Sequence, residues 1–169
     1  MRRRILAVTA LLLLSLTSTA KADPPSPPTG LAYQGRVAHC ATKAGEGLFH
    51  QVFVQSCTMQ GTNANQYWML YMLHAPDIYQ IRNDRGDGTG RCMEVQDASQ
   101  KDGAGIRAEP CDPRKFNQMW RVNVYEWQPW AYVAVHSGKC LAYNPSGTVW
   151  AIQSTCTSST RWDPIALRP

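Results

Sequence analysis

The sequence predicts an all-β protein in which three repeats close on one another with pseudo-threefold symmetry. Two observations carry that expectation. The first is a recurring pattern: Cys40, Cys57, then Asn65-Gln66-Tyr67-Trp68; Cys92, Cys111, then Asn117-Gln118-Met119-Trp120; Cys140, Cys156, then Ser159-Thr160-Arg161-Trp162. Self-similarity at a period of about 50 residues marks a unit that cannot bury its own apolar face, so the copies share one core. The second is the local pattern. From Leu31 onward no window of a dozen residues holds a helical apolar period, and short alternating runs take its place.

Those runs are Phe49-Gln51-Phe53, Val122-Val124, Tyr132 to Val135 and Val149 to Ile152. Turn chemistry separates them at Gly45-Glu46-Gly47, at 83–88 (Asn-Asp-Arg-Gly-Asp-Gly), at Lys101-Asp102-Gly103 and at Asn144-Pro145-Ser146-Gly147. Many short strands with Gly and Pro turns indicate a closed barrel or a sandwich. Three repeats with room for four short strands each favour the closed form, with Trp68, Trp120 and Trp162 as a shared core trio.

The ends of the chain are different in kind. Arg2, Arg3 and Arg4 precede an apolar run from Ile5 to Leu16, and Ala20-Lys21-Ala22 is a small-x-small cleavage site. Residues 1–22 are therefore expected to be a secretory signal, too short in its apolar part to span a bilayer. No second candidate span occurs, so an exported protein with no transmembrane segment is expected. Residues 23–30 (DPPSPPTG) are expected to form an extended, unpacked tether. The leader also carries four of the 17 basic residues, Arg2, Arg3, Arg4 and Lys21, and none of the 12 acidic ones. The mature chain is close to neutral, so the net charge of +5 is no argument for a nucleic-acid partner.

Removing 22 of 169 residues leaves 147, the length of one domain. Six cysteines in an exported chain read as three disulfides. If each repeat is a unit, the pairs are Cys40–Cys57, Cys92–Cys111 and Cys140–Cys156. No metal and no cofactor is expected, because His39, His50, His74 and His136 are scattered and no Cys-x-x-Cys occurs. The loop at 84–90 lacks a later acidic ligand and reads as a solvated turn. Glu94, Asp97 and Glu109 could be imagined as a glycosidase pair, but the repeat already accounts for them, so no enzymatic activity is expected.

The residues also carry a family resemblance. Gly90-Arg91-Cys92-Met93-Glu94-Val95 with Asn117-Gln118-Met119-Trp120, and Ser137-Gly138-Lys139-Cys140-Leu141, resemble the ricin B-type lectin repeat. The resemblance covers about residues 33 to 168. It implies a β-trefoil with one disulfide per lobe, the lobes spanning about 31–77, 78–129 and 130–169. It also implies where a sugar would sit: on an Asp two residues after the first Cys, a ring two before the second Cys, and the Asn before Gln-x-Trp. A carboxylate suits vicinal hydroxyls, and a flat ring suits the C–H face of a pyranose.

Every lobe departs from that set. The Asp position holds Thr42, Glu94 and Ala142, and the ring position holds Gln55, Glu109 and Ser154. The Asn is kept as Asn65 and Asn117. The middle lobe, with Glu94 and Asn117, is the least altered. Gln66 and Gln118 are expected mainly to tie the local turn to its lobe, with ligand contact as the alternative. A further candidate is the aromatic stretch from Tyr125 to Tyr132. Pro129 between Trp127 and Trp130 argues against a central strand, so at least one of these indoles is expected at the surface as a contact for a glycan, a headgroup or a protein. The competing reading packs both on the barrel rim.

Three functions follow. The first is a secreted, non-catalytic protein binding carbohydrate or a glycosylated cell surface. The second comes from Gly138-Lys139-Cys140-Leu141-Ala142-Tyr143-Asn144-Pro145 with Ser154-Thr155-Cys156, which resembles the trefoil subunits of cytolethal distending toxins. That likeness implies an attachment subunit paired with a separately encoded toxin or enzyme chain. The third is a trefoil protease inhibitor.

Overall fold

The computed structural model describes residues 29–33, 39–44, 50–58, 64–74, 76–84, 90–125, 128–144, 146 and 149–166. Twelve strands follow in order: β1 Thr29–Tyr33, β2 His39–Lys43, β3 Val52–Ser56, β4 Met69–His74, β5 Ile78–Asn83, β6 Arg91–Val95, β7 Ile106–Pro110, β8 Trp120–Tyr125, β9 Gln128–Ala134, β10 Cys140–Tyr143, β11 Ala151–Ser154 and β12 Trp162–Ala166. Four strands fall in each repeat, as the spacing requires.

Six strands form the barrel wall, running β4-β5-β8-β9-β12-β1 through antiparallel ladders. The other six form the hairpins β2–β3, β6–β7 and β10–β11. Three isolated bridges tie the hairpins pairwise into a cap: Gln51 to Arg107, Phe53 to Trp150, and Gly105 to Ile152. Alternation does the sorting: in β7, Ile106 and Ala108 are buried while Arg107 and Glu109 are half-buried on the other face.

The tryptophan trio closes the centre. Trp68, Trp120 and Trp162 are 1%, 0% and 0% exposed. Each donates its indole N–H to the carbonyl of the residue after the repeat's first cysteine: Ala41, Met93 and Leu141, at 3.0 Å in all three lobes. Burying one such ring contributes about 4–6 kcal/mol of transfer free energy, and the carbonyl satisfies its one polar atom. Around them pack Val54, Ile81, Met93, Ile106, Tyr132 and Leu141, all buried.

The three disulfides pair within lobes, as Cys40–Cys57, Cys92–Cys111 and Cys140–Cys156. The Gly-x-Cys signature has a backbone cause: Gly90 and Gly138 adopt φ of +55° and +68°, which a side chain would strain. The turn at Lys101-Asp102-Gly103 is present, with Gly103 at φ +82°.

Two expectations change. The wall begins at Thr29, whose partner is Ala166, and Gly30 pairs with Ile165; the last two residues of the expected tether are thus in β1. Pro129 lies inside β9, which pairs with β8, β10 and β12 and is therefore a central strand. The register explains the tolerance. Asn123 opposes Ala131 but Tyr125 opposes Gln128, so β9 carries one extra residue there. A bulge at Pro129-Trp130 is a place where a ladder tolerates a residue with no N–H to donate. The expected leader at 1–22, most of the tether, the turn at 45–47 and residues 85–89 lie outside the described residues.

Candidate functional site

In each lobe the residue before x-Trp ends a short turn and faces inward. Gln66 closes the 3-10 turn Ala64–Gln66, and Gln118 closes Phe116–Gln118. The Gln118 amide is fully used: Oε1 accepts from Asp112 N at 2.8 Å and Gln80 Nε2 at 3.1 Å, while Nε2 donates to Glu94 Oε2 at 2.7 Å and Pro110 O at 2.9 Å. Gln66 repeats the scheme, accepting from Thr58 N at 2.8 Å and donating to Thr42 Oγ1 at 3.0 Å and Ser56 O at 2.9 Å. Thr160 keeps a shortened version, its hydroxyl accepting from Thr157 N at 3.1 Å and donating to Thr157 O at 2.9 Å. Thr58, Asp112 and Thr157 each follow the second cysteine of their lobe. The side chain at this position thus pins the end of the disulfide hairpin to the Trp strand in all three lobes.

The middle lobe brings Asn117 and Gln118 of the 3-10 turn against Glu94 and Val95 of β6. Their polar atoms are turned to one another and to the backbone. Glu94 Oε2 receives Gln118 and also Lys115 Nζ at 3.0 Å, and its side chain is 13% exposed. Asn117 Nδ2 donates to Val95 O at 2.9 Å. Lys115, which sequence reasoning did not single out, occupies the Glu94 carboxylate as an ion-pair partner. The only trace of it in the sequence is the basic pair Arg114-Lys115 just ahead of Asn117.

The ring position of the middle lobe holds Glu109, 3.5 Å from His50 Nδ1 of lobe one. In lobe one Thr42 is buried, and its hydroxyl donates to Cys40 O at 3.2 Å while receiving Gln66. Asn65 lies half-buried in its turn, apart from the middle-lobe group. In lobe three Ala142 is buried and offers no polar atom.

The aromatic stretch divides. Trp127 lies outside the described residues. Trp130 is 9% exposed, opposes Trp162 across the β9–β12 ladder as Tyr79 opposes Trp120, and lies 6.4 Å from the Tyr132 ring. It is therefore a barrel-wall residue and not part of a surface patch. A large aromatic ring thus stands opposite the core tryptophan in both of these ladders, Tyr79 from β5 and Trp130 from β9.

Ion pairs set the local field. The Arg114 guanidinium, bonded to Asp112 Oδ1 at 3.0 Å, holds the Asp112 carboxyl at about 2. Lys139, 2.8 Å from Asp102, lowers the Asp102 pKa, with Thr155 adding a hydrogen bond. Among the described residues no group of His, Cys, Asp and Glu could hold a metal ion, and no helix is long and apolar enough to cross a membrane.

The ricin-type β-trefoil lectin domain model matches residues 32–162. Three solved structures are similar in fold. A designed threefold-symmetric protein, ThreeFoil, is 22% identical, with 83% of this chain and 99% of that chain covered and a TM-score of 0.68. The Polyporus squamosus lectin, bound to the epitope Neu5Aca2-6Galb1-4GlcNAc, is 17% identical with a TM-score of 0.70. It is matched over 83% of this chain, which spans 49% of that one. The Haemophilus ducreyi cytolethal distending toxin is 18% identical with a TM-score of 0.63, over 92% of this chain and 94% of that chain. At these identities the likeness is one of fold. No curated protein matches the chain in sequence.

Proposed function

Since the chain belongs to the ricin-type β-trefoil lectin domain family, we propose that it is an exported, non-catalytic protein that recognises carbohydrate, free or on a glycosylated cell surface. One observation carries the reading: the family match runs from β1 into β12 and takes in all three lobes, which supports binding as the role of the whole trefoil. A role without chemistry is supported by the carboxylates. Glu94 is ion-paired with Lys115 and hydrogen-bonded by Gln118, and Glu109 faces His50, so the two do not face each other as an acid–base pair across a cleft. The test is a glycan array probed with residues 23–169. Retention on a defined glycan is expected; the absence of binding to any glycan and to glycosylated cells would refute it.

A second reading is supported by the near-complete mutual coverage with the Haemophilus ducreyi toxin chain. Here the trefoil is an attachment subunit that lacks simple-sugar affinity, binds whole cells and travels with a separately encoded partner. Co-purification of the native protein with a second chain, together with a blank simple-sugar array, is the expected signature. Isolation as a single species that binds sugar would exclude it.

A further inference from the structure

The three positions where the resembled repeat would hold a sugar are closed or reshaped by this chain's own side chains. An open cleft lies elsewhere, on the cap between lobes two and three. This groove encloses about 390 Å³, with Gly105 on its floor, Gln96 and Asp97 on one wall, and Trp150 and Ile152 on the other. Its volume falls in the range of small-molecule clefts.

Three features set the groove apart from ordinary surface. Trp150 is 39% exposed, whereas the core trio is 0–1% exposed. Its backbone is nonetheless fixed by the bridge to Phe53, and the floor by the bridge between Gly105 and Ile152. Next, Asp97 and Ala98 are consecutive non-glycine residues in the left-handed region, at φ +54° and +48°. Such backbone persists only where the surroundings over-determine it, and it clusters at ligand sites. The surroundings here are a lobe-three clamp: Gln153, 0% exposed, donates to Ser99 O at 2.7 Å and Lys101 O at 2.8 Å, and exchanges backbone bonds with Gly103 and Ala104.

The third feature is polar. Asp97 Oδ2 accepts one bond, from Gln96 Nε2 at 3.1 Å, and the residue is exposed. At the floor, a Cβ placed on Gly105 would lie 3.3 Å from Gln51 Oε1 and 3.4 Å from Gln96 Oε1. Gln51 is 8% exposed, and its Oε1 has no hydrogen-bond partner among the described residues. A buried acceptor without a donor calls for a partner, and it lies beside the groove.

We propose that this inter-lobe groove binds a neutral pyranose, its C–H face stacked on Trp150 and its vicinal hydroxyls donating to Asp97. The proposal rests on the carbohydrate-binding reading above and assigns its site. An indole face complements the apolar side of a sugar ring. A carboxylate accepts two hydroxyl bonds with charge assistance, and Gln96 Nε2 fixes its orientation. The same carboxylate repels a carboxylated or sulfated sugar, so the groove selects neutral over acidic glycans.

The experiment is an array of neutral, sialylated and sulfated glycans, followed by calorimetric titration of the best neutral ligand. The variants are Trp150→Ala, Trp150→Phe, Asp97→Asn and, for the competing middle-lobe position, Glu94→Gln. Asn tolerates the left-handed backbone at 97, and near-ultraviolet circular dichroism verifies each fold. Trp150→Ala and Asp97→Asn are each expected to weaken binding about tenfold or more, with Trp150→Phe retaining most affinity and Glu94→Gln unchanged. Neutral-sugar binding that survives Trp150→Ala, or that is lost in Glu94→Gln alone, overturns the groove and leaves carbohydrate recognition standing. A preference for acidic glycans overturns the groove's charge argument. No glycan bound by the unaltered chain overturns both readings.

Discussion

Replacing Gln118 by Ala removes the amide on which four groups of the middle lobe converge. Two of them keep another partner: Gln80 Nε2 retains Asp112 O at 3.1 Å, and Glu94 retains Lys115 at 3.0 Å. The other two, Asp112 N and Pro110 O, lose this bond. A backbone group left unsatisfied costs about 1–3 kcal/mol when buried and less at Pro110, which is exposed, so the variant should lose about 2–4 kcal/mol. At a urea slope of about 2 kcal/mol per M, the unfolding midpoint should fall by about 1–2 M. Thr160→Val makes the internal comparison. It leaves Thr157 N without its partner at an exposed residue that water reaches, while Thr157 O keeps the Thr160 backbone N–H at 3.2 Å, and should cost about 1 kcal/mol. Urea titration followed by tryptophan fluorescence reads both. A Gln118→Ala loss below about 1 kcal/mol, or equal to that of Thr160→Val, would refute the claim that this side chain is the lobe's structural pin. A fall in glycan affinity at unchanged stability would make Gln118 a ligand contact instead.

Trp130→Ala should destabilise the fold by about 3–5 kcal/mol, because it empties a barrel-wall position; a melting curve like that of the unaltered protein would restore Trp130 to the surface. Replacing Cys92 and Cys111 by Ser opens a loop with a sequence separation of 19 and should cost about 3 kcal/mol by loop entropy. Chemical denaturation checks that figure, and an unchanged midpoint would contradict it. Lys115→Ala should cost no more than about 1 kcal/mol, since its ammonium is half in solvent; a larger drop in thermal stability would mean the Glu94 contact is more than a surface pair. Asp112 should titrate near a pH of about 2 by NMR and move upward in Arg114→Ala. Because its folded pKa is lowered, its stabilising contribution is complete above the unfolded carboxyl range near ~3.9 and fades as the pH falls toward 2. An unshifted Asp112 in Arg114→Ala would remove the guanidinium as the cause.

Much of the architecture is legible in the linear chain. Three Cys pairs in phase with three tryptophans specify three lobes, within-lobe disulfides and a shared indole core. Local chemistry recurs at the same offset in each copy, and a repeated offset needs no knowledge of distant contacts. Gly-x-Cys is readable for the same reason, since a left-handed φ is a property of one residue. The departures at Thr42, Glu94 and Ala142 from the Asp of the resembled repeat are likewise plain from the sequence.

What only the tertiary structure decides depends on residues far apart in the chain. Pro129 argued locally against a central strand, but the β8–β9 register supplies a bulge that absorbs it and turns Trp130 into the wall. Lys115 reaches across 21 residues to Glu94, a pairing that no short motif encodes. The cap groove joins Asp97 of one lobe to Trp150 of the next, and the Gln153 clamp that shapes it spans 54 residues to Ser99. Periodicity in sequence fixes which residues each lobe contributes. Where two lobes meet, side chains from separate repeats divide the space between them, and that division is set by packing in three dimensions.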